Sequence, residues 1–244
     1  MKVGIMQPYF FPYLGYFQLL KYVDLWVVFD DTQYVNKGWV NRNKILHPDE
    51  IKQWQYITIP LANKHRISKI KDLRMNEQQK WKSNILGKLS HYKRKAPFYD
   101  DTIELMEACF EYKSNMLTDF LTNSLRIVSK KLHIETPIIL QNELHNLPET
   151  VDHPGQWALK ISEILQAKTY VNPIGGKEIF KPQEFMNKKI NLSFIEPQLK
   201  SYSQRNQNFV SSLSIIDLLM WRSRDSIIES INNDYSILKE VDLG

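Results

Sequence analysis

The sequence predicts an α/β fold built on a mostly parallel, Rossmann-like sheet with crossover helices and a helical insertion. The first observation is that short apolar runs alternate with longer segments whose apolar side chains recur at helical spacing. The second is that polar or glycine-rich residues directly follow several of the apolar runs. Parallel strands joined by crossover helices place their carboxyl ends at one edge of the sheet, where such loops can meet. We interpret residues 1–244 as one α/β domain.

The first three predicted elements are a strand, a helix and a second strand. Residues 3–6 are short and apolar, and residues 14–23 repeat apolar side chains at helical spacing. Residues 25–29, with the sequence LWVVF, form the second apolar run. Because one amphipathic helix separates the two runs, we predict that they form adjacent, parallel, central strands.

The middle of the chain is predicted to be mostly helical. Residues 54–61 alternate well enough to form a third strand, which Pro60 stops. Residues 77–132 follow helical spacing, and Pro97 separates the first helix from the others because proline lacks a backbone donor. We expect this block to form a helical insertion or subdomain over one edge of the sheet.

The C-terminal third returns to alternating strands and helices. Strands are predicted at residues 138–140, 169–171 and 191–195, the last strand of the chain, and helices at residues 158–166 and 213–221. Ser212 or Ser214 is the expected N-cap of the last helix, since serine is a preferred capping residue.

Composition argues against several classes of protein. No apolar run approaches the roughly 18–20 residues that span a bilayer, so no membrane insertion is expected. The N-terminus lacks the apolar region of a signal peptide, and Cys109 is the only cysteine, which together predict a cytoplasmic protein. The net charge of +5 suits phosphate-bearing partners, from a nucleotide to nucleic acid, but lysines on solvated helix faces give the same balance.

Motifs of the common enzyme classes are absent from the sequence. There is no GxSxG elbow, no Walker A loop and no GxGxxG loop. The histidines show neither HxxxH nor HExxH spacing, so no metal ligand is assigned. The cofactor stays unknown at this level.

Residues 7–46 hold the densest group of candidate binding residues. Aromatic side chains, most with polar tips, crowd the loop after the first strand and reappear after the second. They suit stacking on a sugar or a nucleobase, although about half of them are expected to belong to the core. The aromatic candidates are Tyr9, Tyr13, Tyr16, Tyr34 and Trp39.

Asp30 and Asp31 are the candidate catalytic residues because they follow the second predicted strand. Two carboxylates at a strand end can differ in pKa, so that one acts as a general base while the other binds substrate. We favour Asp31 as the catalyst, because it lies farther from the strand, towards Gln33 and Tyr34. The alternative is that one aspartate caps a turn and the other faces solvent.

Amides and glycines supply the remaining candidate contacts. An Asn-Arg-Asn run offers donors for phosphate or sugar hydroxyls, and a later Asn-Pro-Ile-Gly-Gly run offers backbone amides to a phosphate. A polar turn and a glycine turn are the alternatives. These candidates, expected to line one cleft with the aromatic residues and the aspartates, are Gln7, Gln33, Asn41, Arg42, Asn43, Asn172, Gly175 and Gly176.

Several of these residues belong to runs with a distinctive pattern. The runs are QPYFFPYLGY at 7–16, DDTQY at 30–34, WVNRN at 39–43, NPIGG at 172–176 and LSIID at 213–217, with Tyr202 and Gln204 between the last two. The set resembles the pattern of the WbqC-like family, bacterial proteins found among genes for O-antigen and other surface polysaccharides. The resemblance covers essentially the whole chain.

The resemblance implies a cytoplasmic transferase of surface-polysaccharide biosynthesis that adds an acyl or aminoacyl group to a nucleotide-activated amino sugar. Asp30 or Asp31 would deprotonate the attacking amine, and Arg42 with the amides would hold phosphate or sugar oxygens. Two alternatives stay open. One is a nucleic-acid base-modifying transferase, and the other is a non-catalytic accessory protein that binds a sugar nucleotide.

Overall fold

Strands and helices alternate along the chain in the computed structural model, which describes residues 1–62, 65, 67–204 and 208–239. The strands are β1 (Lys2–Met6), β2 (Leu25–Val28), β3 (Arg42–Leu46), β4 (Trp54–Thr58), β5 (Ile138–Leu140), β6 (Thr169–Pro173), β7 (Asn191–Pro197) and β8 (Tyr235–Lys239). The helices are α1 (Leu14–Tyr22), α2 (Trp81–Leu89), α3 (Tyr99–Phe110), α4 (Leu117–Lys131), α5 (Gln156–Ile164), α6 (Pro182–Asn187), α7 (Ile215–Trp221) and α8 (Arg224–Asn233).

The main sheet has six strands in the order β5-β2-β1-β6-β7-β8. The first five strands of that order are parallel, and β8 alone pairs antiparallel, with β7. The predicted mostly parallel α/β fold is therefore confirmed. The two N-terminal runs are adjacent and parallel as predicted, with Val3 beside Leu25 and Met6 beside Val28.

The segment predicted as a third strand lies outside the main sheet. It forms β4, which pairs antiparallel with β3 as a separate two-stranded sheet, Arg42 lying opposite Thr58 and Leu46 opposite Trp54. Arg42 and Asn43, for which a polar turn was the alternative interpretation, lie in strand β3. Asn-rich segments favour turns, and here a tertiary pairing partner overrides that local preference.

A further helix and strand follow the segment that the sequence analysis took as the last strand, so that prediction was wrong. Ser223 caps α8, and β8 then returns antiparallel along β7 with Tyr235 opposite Pro197. The periodicity of β8 is weak because Tyr235 to Leu238 are all only partly buried at the edge of the sheet. The predicted helix at residues 213–221 begins at Ile215, and Ser214 is its N-cap.

Helices cover both faces of the sheet and produce two hydrophobic clusters. One face packs Trp26 and Val28 against α1, α7 and α8, and the other packs Val3, Ile5 and Val27 against α5 and α6. Alternate residues of a strand point to opposite faces, so both faces of a buried parallel strand are apolar. No helix in the described part of the chain has the length and apolarity that a bilayer span requires.

The helical block of residues 77–132 contains α2, α3 and α4, as expected from its spacing. Its aromatic side chains join the cluster formed by α1 and the sheet, with the ring centroids of Trp81 and Phe120 5.5 Å apart. Arg126 of α4 donates a hydrogen bond of 2.8 Å to Ile138 O on the edge strand β5. The single-domain interpretation stays a prediction, and the shared cluster is consistent with it.

Gly15 allows the end of β7 to approach α1. A Cβ atom at this position would lie 2.5 Å from Pro197 Cγ and 2.6 Å from Tyr13 Cε2. We expect Gly15→Ala to lower the free energy of unfolding by about 1–3 kcal/mol, because two rings would have to move. For a chain of this size the melting temperature would fall by about 2–4 °C per kcal/mol, which calorimetry measures.

Gly87→Ala is the matched control for this prediction. Gly87 lies in α2, and a Cβ atom there would meet nothing within 4 Å. Because alanine is the better helix former, we expect the control to stabilise the protein by about 0.5–1 kcal/mol. Equal melting temperatures for the two variants would contradict the close packing at Gly15.

Candidate functional site

The order of the strands creates a crevice at the carboxyl ends of β1 and β6. The chain leaves β1 towards β2 on one side, whereas β6, on the other side, is reached only after β5 and α5. Loops that leave neighbouring parallel strands at such a switch point diverge and leave a ligand-binding crevice. A cleft of about 910 Å³ lies here, within the usual size range for small-molecule sites.

The lining of this cleft is largely aromatic and apolar. One wall comes from the loop after β1 and the start of α1, and the opposite wall comes from residues 151–158 and 170–180. Trp39 adds an aromatic ring and is 38% exposed. The structure brings together these residues predicted from the sequence: Gln7, Tyr9, Tyr13, Tyr16, Trp39, Asn43, Asn172, Gly175 and Gly176.

Buried donors hold the loop after β1 in place. The Asn43 side-chain amide donates to Phe10 O at 3.0 Å and Phe11 O at 2.8 Å, so it is used for anchoring the loop. Ser214 Oγ donates to the same Phe11 carbonyl at 2.7 Å. Tyr16 OH donates to Gln7 O at 2.9 Å. These bonds link α7 and β3 to one wall of the cleft and fix its shape.

The loop after β6 is fixed by a buried side-chain amide. Tyr170 OH donates to Asn172 Oδ1 at 2.8 Å, and Asn172 Nδ2 donates to Pro173 O at 2.9 Å. Gly176 packs on this amide so closely that a Cβ atom would lie 2.3 Å from Asn172 Nδ2. Gly175 has open space where a Cβ atom would be, so only Gly176 is sterically required.

The two candidate catalytic aspartates do not line the cleft, although their neighbours Phe29 and Thr32 do. Asp30 is 6% exposed, and burial raises the pKa of its carboxyl group. Asp31 forms ion pairs with Lys69 Nζ at 2.5 Å and Lys71 Nζ at 3.0 Å. A catalytic role for either aspartate stays a prediction, and their contacts favour a structural role.

Four more predicted binding residues lie behind the cleft or beside it. Tyr34 OH donates to Asn41 Oδ1 at 2.7 Å, and Asn41 Nδ2 donates to Ile59 O at 2.8 Å. Arg42 donates to the carbonyl groups of residues 37 and 38, and its guanidinium lies 3.9 Å from the centre of the Tyr56 ring. Gln33 is exposed, and its backbone forms an isolated antiparallel β-bridge with Lys69. These contacts organise residues 33–42, whereas their predicted binding roles stay untested.

His153 and Glu184 form a pair at the cleft that the sequence analysis missed. His153 lines the cleft, and its Nε2 lies 2.9 Å from Glu184 Oε2. The two residues are separated by 31 positions, so no local spacing relates them. Trp157, the second residue of α5, also lines the cleft and was not predicted. Within the described ranges no group of three or more His, Cys, Asp or Glu side chains is arranged to hold a metal ion.

Asp217 lies at the centre of a second buried polar cluster, which includes residues of the segment between β7 and α7. Its carboxylate accepts from Tyr92 OH and Tyr202 OH, both at 2.6 Å, and from Gln204 Nε2 at 3.2 Å. Burial raises the pKa of Asp217, and the tyrosine hydrogen bonds oppose that rise. These hydrogen bonds connect α7 with Tyr202 and Gln204, which precede Ser212 of the cleft lining, and we interpret them as structural contacts.

The fold and the cleft define an α/β protein with a cleft of small-molecule size at a topological switch point. The chain belongs to the WbqC-like protein family, which matches residues 7–229. It is 24% identical over 220 residues to "Uncharacterized protein Rv1507c" of Mycobacterium tuberculosis (strain ATCC 25618 / H37Rv), covering 89% of this chain and 92% of that protein. No solved structure matches the chain.

The structural role of Asp31 can be tested by measuring how its ion pairs stabilise the protein at different pH values. Partial burial alone would raise its pKa, but the hydrogen bonds and charges of Lys69 and Lys71 outweigh burial and lower it below 3.8. The stabilisation is therefore present above the ordinary pKa and is lost as the pH falls through the lower folded-state value. We expect Asp31→Asn to reduce stability at pH 7 by about 0.2–1 kcal/mol, because the ion pairs are partly exposed.

Chemical denaturation at pH 7 and at about pH 3 measures this difference, which should shrink at the lower pH. Glu229→Gln, at an exposed position of α8, is the control and should change little at either pH. An Asp31→Asn variant as stable as the wild type at pH 7 would contradict the structural role.

Proposed function

We propose that the protein is a transferase that binds the sugar ring of an amino sugar in the cleft and adds an acyl or aminoacyl group to its amine. The carrying observation is the aromatic cleft at the β1/β6 switch point, whose lining includes the paired His153. Aromatic faces suit the apolar faces of sugar rings, and a few polar groups then orient the ligand. We place this reaction in the cytoplasm, in surface-polysaccharide biosynthesis, in line with the family setting.

The charge of the lining supports an amine-bearing substrate. Among the described residues that line the cleft, Asp152 and His153 are ionisable besides the tyrosines, and none is lysine or arginine. A carboxylate in a lining without lysine or arginine favours a cationic ligand over an anionic one. The amine of the sugar is therefore expected inside the cleft.

The phosphates of a nucleotide-activated sugar would then lie outside the aromatic part of the cleft. Lys44 Nζ lies 4.1 Å from the centre of the Trp54 ring and 5.4 Å from that of Trp39, which lines the cleft. This cation is close enough to the rim to contact a phosphate that extends from a bound sugar. The arrangement supports a nucleotide sugar as the acceptor.

A non-catalytic sugar-nucleotide-binding protein is the second candidate. It is favoured by one observation: neither carboxylate predicted to be catalytic lines the cleft. A base-modifying transferase receives less support, because nucleic-acid binding depends on cations that contact phosphates and the cleft lining has none among the described residues.

Trp39→Ala tests the cleft as the sugar site. Because stacking on an aromatic ring contributes about 0.5–1.5 kcal/mol, we expect the affinity for UDP-linked amino sugars to fall about two- to twelvefold. Isothermal titration measures the affinity, and mass spectrometry after incubation with acyl-thioester or aminoacyl donors detects the product. Wild-type product would support the transferase, whereas tight binding without any product would support the binding protein.

Tyr112→Ala is the control for this experiment. Tyr112 is 39% exposed, as Trp39 is 38% exposed, but it lies at the end of α3 and does not line the cleft. The control should bind the amino sugars like the wild type. Equal losses in both variants, or none in either, would contradict binding at the cleft.

A further inference from the structure

The loop before α5 carries His153 into the cleft and is held there by tight packing. Gly155 lies against the turn after β6, where a Cβ atom would be 2.3 Å from Ile179 O. The backbone N–H of Gln156 donates to His153 O at 3.0 Å. The imidazole is therefore presented by a loop that packs against the turn after β6, and its side chain is only 16% exposed.

Glu184 determines which ring nitrogen of His153 carries the proton. A carboxylate can only accept hydrogen bonds, so the Nε2–H group must be the donor in the 2.9 Å contact with Oε2. The neutral ring is then unprotonated at Nδ1, and no residue in the described part of the chain forms a hydrogen bond with that nitrogen. The free nitrogen is an acceptor available to a ligand in the cleft.

A second donor orients the carboxylate of Glu184. Gln156 Nε2 lies 3.4 Å from Glu184 Oε1 and 3.3 Å from Asp152 Oδ2, so one amide connects both acids beside the histidine. A base held by a third group in this way is the arrangement expected for proton transfer at a reacting centre. Glu184 itself is not in the lining of the cleft.

We propose that His153 is the general base that deprotonates the substrate's amine, and that Glu184 is its positioning residue. The inference rests on the proposed transferase function and assigns the proton transfer within it. The bound ammonium group first gives one proton to solvent. The neutral nitrogen then attacks the carbonyl carbon of an acyl-thioester donor, and His153 Nδ1 takes a second proton from the nitrogen as the C–N bond forms. The C–S bond then breaks, and the imidazolium returns the proton to the leaving thiolate.

The competing explanation is that the pair only fastens the loop at 151–155 to α6. His153→Gln separates the two roles, because glutamine can donate a hydrogen bond to Glu184 but cannot take a proton at neutral pH. We expect product formation to fall by about 10²-fold or more in this variant, with little change in affinity for the amino sugar. His145→Gln, an exposed position earlier in the same loop region, is the control and should keep wild-type turnover.

Glu184→Gln tests the positioning role with two further readouts. Turnover should fall while the affinity for the amino sugar stays close to that of the wild type, because the ring is no longer held in one tautomer. Long-range ¹⁵N NMR should find His153 protonated at Nε2 in the wild type and a mixture of tautomers in the variant. Adding glucosamine as a probe should shift the Nδ1 resonance of the wild type.

The outcomes separate this inference from the function on which it rests. Wild-type turnover in His153→Gln, or a neutral ring protonated at Nδ1, would overturn the inference while leaving the transferase intact. Failure of the wild-type protein to bind any amino sugar or form product would overturn the proposed function, and the assigned proton transfer with it. Loss of turnover in His153→Gln with a folded, sugar-binding protein would support both.

Discussion

The parallel pairing of β1 with β2 on one side and β6 on the other is the constraint on which the site depends. It places the carboxyl ends of β1 and β6 side by side while their loops diverge, and the aromatic cleft occupies the space between them. It also brings together two walls that are distant from each other in the sequence. The N-terminal loop supplies Tyr9 and Tyr13, and the segment that surrounds β6 supplies Trp157 and Asn172.

Buried polar side chains keep these walls in position. Asn43 holds the loop after β1, and Asn41 links Tyr34 to Ile59, just after β4. Asp217 joins α7 to Tyr92 and to Tyr202. A buried polar group left without its partner costs about 1–3 kcal/mol, so each of these residues is sensitive to substitution for structural reasons. Several residues of the distinctive N-terminal pattern therefore form structural contacts around the cleft.

The sequence was a good guide where local pattern and tertiary structure agree. The apolar runs of β1 and β2 predicted their parallel pairing. Gln7, Tyr9 and Asn172 lie at or just beyond strand ends, as predicted, and line the same cleft. The sequence was a poor guide where a partner distant in the sequence determines what a side chain contacts. Asp31 forms ion pairs with Lys69 and Lys71, and His153 is paired with Glu184, 31 residues away. Neither contact can be read from the periodicity or the spacing of the sequence.

A crystal structure of the protein soaked with a UDP-linked amino sugar tests the central claim most directly. The account predicts the sugar ring in the cleft between the β1 and β6 loops, in contact with aromatic side chains. The amine should lie within about 3.2 Å of His153 Nδ1, and the phosphates should extend towards Lys44. A ligand bound instead beside Asp30 and Asp31, with the cleft between Gln7 and Gly176 free of it, would contradict the account.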